Sequence, residues 1–239
     1  MCRICDREGL VGRRALLGLG LAGLAAATLG TGSARAAGGP TTSLTADQAL
    51  EKLKAGNARY VAGPELCVQQ LAASRAALVS GQTPWATILS CADSRVPPEL
   101  LFGGVGPGEL FVARNAGNMA GTATMGTIEY GAAALGVPLI VVLGHEKCGA
   151  VSAACDVLTK DTKYPGSMGR MLKPIVPACK AVAKQPGDMV DNAVRENARR
   201  VARRVATKSP IVADLVKAGK VKVVAARYDL DEGRVEFLS

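Results

Sequence analysis

The chain has 239 residues, a formal net charge of +9, 49% hydrophobic residues and only 3% aromatic residues. That length and composition allow one globular domain with a sizeable core plus additional segments. Three phenylalanines and no interleaving of basic with aromatic residues exclude a stacking platform for nucleic-acid bases, so no nucleic acid is expected as a partner.

Residues 1–36 have the layout of a signal peptide. Arg13 and Arg14 precede an uncharged run from Ala15 to Ser33, and Ala34-Arg35-Ala36 offers small residues at the two positions a signal peptidase reads. The adjacent arginines suggest twin-arginine export. The expectation is an exported, periplasmic protein with no stable membrane anchor after cleavage. The alternative is an uncleaved anchor, since the apolar run is close to the ~20 residues that span a bilayer. Residues 37–44 then read as a linker and 45–239 as the functional domain.

Thr45 is a candidate N-cap for a helix over 46–54, with Gln48 at the capping-box position. Leu50, Leu53 and Tyr60 fall near one face. A second helix is expected over 69–79, ended by Gly81. The apolar run 85–90 reads as a buried strand, and it leads into Cys91-Ala92-Asp93-Ser94-Arg95. Pro97 to Leu101 starts like a helix with proline in its first turn. A strand over 110–114 and a helix over 122–135, stopped by Gly136, come next. The apolar run 138–143 is a strand that ends in Gly144-His145-Glu146-Lys147-Cys148-Gly149.

Residues 159–170 are polar and contain Gly and Pro, and read as a surface loop. Helices are expected over 171–184, 190–207 and 211–218. In the second of these, Val194, Ala198, Val201 and Val205 form an apolar face, while Arg195, Arg199, Arg200, Arg203 and Arg204 read as a solvated face. A strand over 221–228 turns at Asp231-Glu232-Gly233 into an edge strand over 234–238. Strands alternate with helices, so the fold class is α/β, a mainly parallel sheet flanked by helices with an antiparallel edge strand.

Ligands in open α/β sheets sit beyond the carboxyl ends of strands. Two strand ends here supply Cys91, Asp93, His145 and Cys148, and His145 is the only histidine in the chain. Two thiolates with an imidazole favour zinc over magnesium or calcium. Of seven cysteines, Cys2 and Cys5 would leave with the signal peptide. The five that remain are scattered and odd in number, which is not a disulfide framework. A Cys155–Cys179 bridge is open, but sequence does not establish their distance.

These paired motifs resemble the β-class carbonic anhydrases. The resemblance runs from about Thr45 to Ser239 and includes Arg114-Asn115-Ala116-Gly117-Asn118 and Ala226-Arg227-Tyr228-Asp229-Leu230. It implies a zinc-dependent carbonate dehydratase, a lyase in which zinc-bound hydroxide converts carbon dioxide reversibly to bicarbonate and a proton. It implies Cys91, His145 and Cys148 as metal ligands. Asp93 would either be a fourth ligand or pair with Arg95 to orient the zinc water.

By motif position the resemblance also implies Gln82 as an amide donor to bicarbonate, and Phe111 and Tyr130 as apolar walls around carbon dioxide. Ordinary core packing is the alternative for those two rings. Gly149 would offer a backbone amide to an anion. Ala116 stands where the family often has a larger aliphatic residue. Ile88 stands where some members carry a tryptophan of an inhibitory bicarbonate site, so no such site is expected. The family's pocket commonly spans two subunits, which implies a homodimer or a multiple of dimers, and its amino-terminal helices reach a partner. Two other readings are a zinc hydrolase of a related small substrate such as carbon disulfide, and a catalytically silent zinc-binding protein.

Overall fold

The computed structural model describes residues 41–63 and 78–239. The signal segment 1–36, residues 37–40 of the linker and nearly all of the helix expected over 69–79 lie outside the described residues. The elements in order are α1 (Ala46–Ala62), β1 (Ala86–Ser90), α2 (Pro98–Leu101), β2 (Leu110–Arg114), α3 (Thr122–Ala133), β3 (Leu139–His145), α4 (Gly149–Lys160), α5 (Gly166–Leu172), α6 (Val176–Val182), α7 (Met189–Lys208), α8 (Pro210–Lys217), β4 (Lys222–Tyr228) and β5 (Val235–Leu238).

The five strands form one sheet in the order β2-β1-β3-β4-β5. The first four are mutually parallel and β5 is antiparallel to β4, as expected for this fold class. β1 and β3 are buried along their whole length. A strand covered on both faces reads as a continuous apolar run, which is why both were visible in the sequence. Alternate residues serve opposite layers. Ile88, Leu139, Val141 and Leu143 pack with α1 and α2, while Leu89, Ile140 and Val142 pack with α3, α7 and α8.

The capping box of α1 is formed. The Thr45 hydroxyl accepts from the Gln48 amide at 3.2 Å, and the Gln48 side chain accepts from the Thr45 amide at 2.8 Å. The helix continues to Ala62 and packs on its own chain. Buried Asn57 donates to the carbonyls of Leu101 and Gly233 and accepts from the Val235 amide. Gly56 is required there, because a Cβ would lie 2.1 Å from the Phe102 carbonyl oxygen.

Two expectations differ from the structure. Residues 149–160 form α4, and the polar stretch read as a loop over 159–170 holds the end of α4 and the start of α5. The helix expected over 171–184 is split. α5 ends at Leu172 and α6 begins at Val176, with Pro174 between them and Pro177 in the first turn of α6. Proline lacks the N–H that a helix interior uses, so a continuous helix fails there.

Candidate metal centre

β1 and β3 are adjacent and parallel, with Ser90 opposite Leu143. Both therefore deliver their next residues to the same edge of the sheet. Cys91 follows β1, and His145 ends β3. Lys147 adopts a left-handed backbone, φ 52°, which turns the chain so that Cys148 can cap α4 and return toward His145. Glu146 holds this turn in place. Its amide donates to the Tyr228 carbonyl at 2.8 Å, and its carboxylate accepts from the Leu230 amide at 3.1 Å.

The sulfurs of Cys91 and Cys148 are 3.9 Å apart. The ligand atoms of Cys91, His145 and Cys148 all lie within 4.8 Å of one another, and all three residues are buried. Two thiolates each ~2.3 Å from one tetrahedral zinc would sit about 3.8 Å apart, so the spacing fits that ion. His145 Nδ1 lies 2.8 Å from the Glu146 carbonyl oxygen. Donation there leaves the lone pair on Nε2. That Nε2 is buried with no hydrogen-bond partner among the described residues. Leaving such an acceptor unpaired costs about 1–3 kcal/mol, and a metal ion removes the penalty.

The hydrogen bond from the Cys148 thiol holds the Cys91 thiol below the usual thiol range. The same bond, with burial, pushes Cys148 up. A metal ion would displace the thiol protons, since the thiolate is the ligand.

Asp93 stands beside this group. Arg95 grips its carboxylate with two parallel bonds, Nε to Oδ1 at 2.9 Å and a terminal nitrogen to Oδ2 at 2.7 Å, and its amide adds a third at 3.0 Å. Arg95 holds the Asp93 carboxyl well below the usual carboxylate range. Asp93 Oδ2 is 3.8 Å from His145 Nε2. In this arrangement three residues form the metal-ligand cluster and Asp93 faces Arg95. Gly149, the first residue of α4, is exposed next to Cys148.

Gln82, Phe111 and Tyr130 lie elsewhere in the chain. Phe111 is opposite Thr87, four residues before Cys91, or about 13 Å along the strand at ~3.3 Å per residue. The Phe111 and Tyr130 rings are 6.0 Å apart, and Tyr130 is 39% exposed, so it is not a core residue. Exposed Gln82 and Tyr130 line one shallow depression. Ile88 is fully buried in β1.

Sequence reasoning assigned no role to three residues that position Cys91. Arg114 donates to the carbonyls of Cys91 and Asp93. The Gly117 amide donates to the Cys91 sulfur at 3.4 Å. Asn197 of α7, buried, donates to the Gly117 carbonyl at 3.0 Å. Its signal was a polar residue next to the apolar stripe of Val194, Ala198 and Val201.

A family model described as carbonic anhydrase matches residues 86–235. The chain belongs to the carbonic anhydrase family. It is 37% identical to a carbonic anhydrase of Mycolicibacterium smegmatis over 191 residues, covering 80% of this chain and 92% of that one. It is 36% identical to carbonic anhydrase 2 of Mycobacterium tuberculosis over 186 residues, covering 78% and 89%. Its fold is similar to a solved structure from Sordaria macrospora, one of two tetrameric β-carbonic anhydrases, with a TM-score of 0.64, 26% identity and coverage of 72% and 88%. The β class expected from the motifs is therefore the family of this chain.

Proposed function

We propose that this protein hydrates carbon dioxide reversibly to bicarbonate and a proton, using zinc held by Cys91, His145 and Cys148. The observation that carries this reading is the buried, unpartnered Nε2 of His145 clustered with two thiol sulfurs at the strand ends of a carbonic anhydrase fold. Zinc with three protein ligands supplies a Lewis acid that makes a water nucleophilic near neutral pH.

The chain's own residues would do the rest. Asp93 orients the reacting water and accepts its hydrogen bond. Arg95 keeps that carboxylate charged and turned away from the metal ligands, through the paired geometry of the fork. Arg114, Gly117 and Asn197 fix the Cys91 backbone and sulfur. The Gly149 amide, at a helix start, offers a donor to the bicarbonate anion.

Gln82, Phe111 and Tyr130 would complete the pocket from a second copy of the chain. The distance of Phe111 from Cys91 within one chain and the exposure of Tyr130 support this, and so does the tetrameric state of the Sordaria relatives. The assembly would be a homodimer or a multiple of dimers.

Export is a separate proposal that rests on the layout of residues 1–36. Cleavage would start the mature, periplasmic chain near Ala37. Among the described residues no helix is long and apolar enough to cross a membrane. Amino-terminal sequencing of the exported protein tests the cleavage, and a cytosolic product starting at Met1 would rule it out.

Stopped-flow measurement of carbon dioxide hydration, with carbon disulfide as the competing substrate, tests the function. Zinc-dependent hydration well above the buffer rate is expected. Turnover of carbon disulfide alone would assign the related hydrolase, and turnover of neither would assign a silent zinc protein.

A further inference from the structure

The described residues hold a second buried cysteine pair, outside the metal centre. Cys155 lies on the buried face of α4 with Val151 and Ala154, and Cys179 lies on the buried face of α6. Their sulfurs are 2.8 Å apart, and Cys179 also approaches the Val151 carbonyl at 3.8 Å. Relative exposures are 4% for Cys155 and 0% for Cys179.

The two pairs differ in a way that assigns them different chemistry. Cys91 and Cys148 stand at a separation a shared metal would set, with an imidazole to complete the group. No histidine or carboxylate joins Cys155 and Cys179 in a metal-ligand cluster among the described residues, so this pair lacks the further donors a metal site needs. Its sulfurs are closer than the ~3.5–4.0 Å of ordinary non-bonded heavy-atom contact. They need only about 0.8 Å of closure to reach a covalent S–S bond of ~2.05 Å.

We propose that Cys155 and Cys179 form a structural disulfide that ties α4 to α6 behind the metal centre. Cys155, Cys179, Val151, Cys91 and Cys148 belong to one packed cluster. α4 begins next to the metal ligand Cys148, so the bridge would anchor the same helix two turns on.

The bond forms by exchange with a small disulfide such as oxidised glutathione. On local opening, the Cys155 thiolate attacks the donor S–S bond, releasing one thiol and leaving a mixed disulfide. The Cys179 thiolate then attacks the Cys155 sulfur and expels the second thiol. Both cysteines are oxidised, the donor is reduced to two thiols, and the two cysteine protons end on those thiols. This assignment is independent of the reaction at the metal.

The test uses the full, zinc-loaded chain treated with oxidised glutathione, alkylated under denaturing conditions and digested with trypsin without reduction. Mass spectrometry should find peptide 148–160 joined to peptide 171–180, with a mass two hydrogens below the sum. Fragment ions should place the bond on Cys155. In parallel, reductant should lower the wild-type melting midpoint by roughly 5–10 °C. A Cys155→Ala/Cys179→Ala variant should lose that reductant-dependent drop. Free, alkylated Cys155 and Cys179 in the treated wild type would overturn the assignment, as would a bond placed on Cys148. The peptide map decides even if the double variant does not fold.

Discussion

The buried Asn197 side chain on α7 donates to the Gly117 carbonyl at 3.0 Å, and the Gly117 amide in turn donates to the Cys91 sulfur. A helix that carries no metal ligand is thereby coupled to one. Gly117 has φ 77°, and a Cβ there would lie 2.5 Å from Ile175 Cδ1. The left-handed backbone demands glycine, and a Cβ would also push the Ile175 methyl aside.

Gly117→Ala should therefore destabilise the fold by about 1 kcal/mol or more, chiefly from the left-handed backbone. Asn197→Ala should cost about 1–3 kcal/mol by leaving a buried carbonyl unpaired. Urea unfolding of the zinc-loaded proteins checks both, and metal analysis should show weakened zinc retention. Unchanged unfolding midpoints would show that this chain of contacts does not hold Cys91.

Arg95→Ala removes the fork that holds Asp93. The freed carboxylate, already near His145 Nε2, is then expected to turn to the metal and close the site. Hydration should fall about a hundredfold, within the range of a lost general-base role, while zinc stays bound. Asp93→Asn should lose a similar factor, because a neutral amide is a poor proton acceptor. Stopped-flow rates from about pH 7 to about pH 9, with metal analysis on the same samples, test this. An Arg95→Ala enzyme with unchanged rates would contradict it.

Asp229 closes the turn between β4 and β5. Its Oδ1 accepts from the amides of Asp231 and Glu232, and its Oδ2 accepts from Arg227 at 2.8 Å. The Arg227 guanidinium, helped by those amides, holds its carboxyl below the usual range. A group with a depressed folded-state pKa stabilises the fold above its unfolded pKa of ~3.9 and loses that contribution as pH falls through the folded value. Asp229→Asn should therefore cost about 1–2 kcal/mol at neutral pH, and the cost should shrink below about pH 4. Denaturant titrations at neutral and acidic pH would show a difference that closes with acid. A pH-independent difference would argue for a purely steric effect.

Much of the site was legible because each metal ligand stands at or beyond the end of a strand. Continuous apolar runs marked β1 and β3, and Thr45 with Gln48 marked the start of α1. α4 was harder to see. Val151, Ala154, Cys155 and Leu158 have helical spacing, but small residues dilute the apolar contrast and Gly149 masks the start. The prolines at 174 and 177 carried the signal for the break between α5 and α6. Gly117, Asn197 and Arg114 act through contacts between distant segments, and no local pattern reports a hydrogen bond spanning 80 positions. The separation of Phe111 from Cys91 follows from the register of β1 against β2, which sequence spacing does not contain.

The central claim is that Cys91, His145 and Cys148 together hold the catalytic ion. Its most direct test is the zinc content of the purified wild type and of Cys91→Ser, His145→Ala and Cys148→Ser. The wild type should carry one zinc per chain, and each variant should lose most of it while retaining the folded circular-dichroism spectrum. Full zinc occupancy in all three variants would show that the ligand set is wrong.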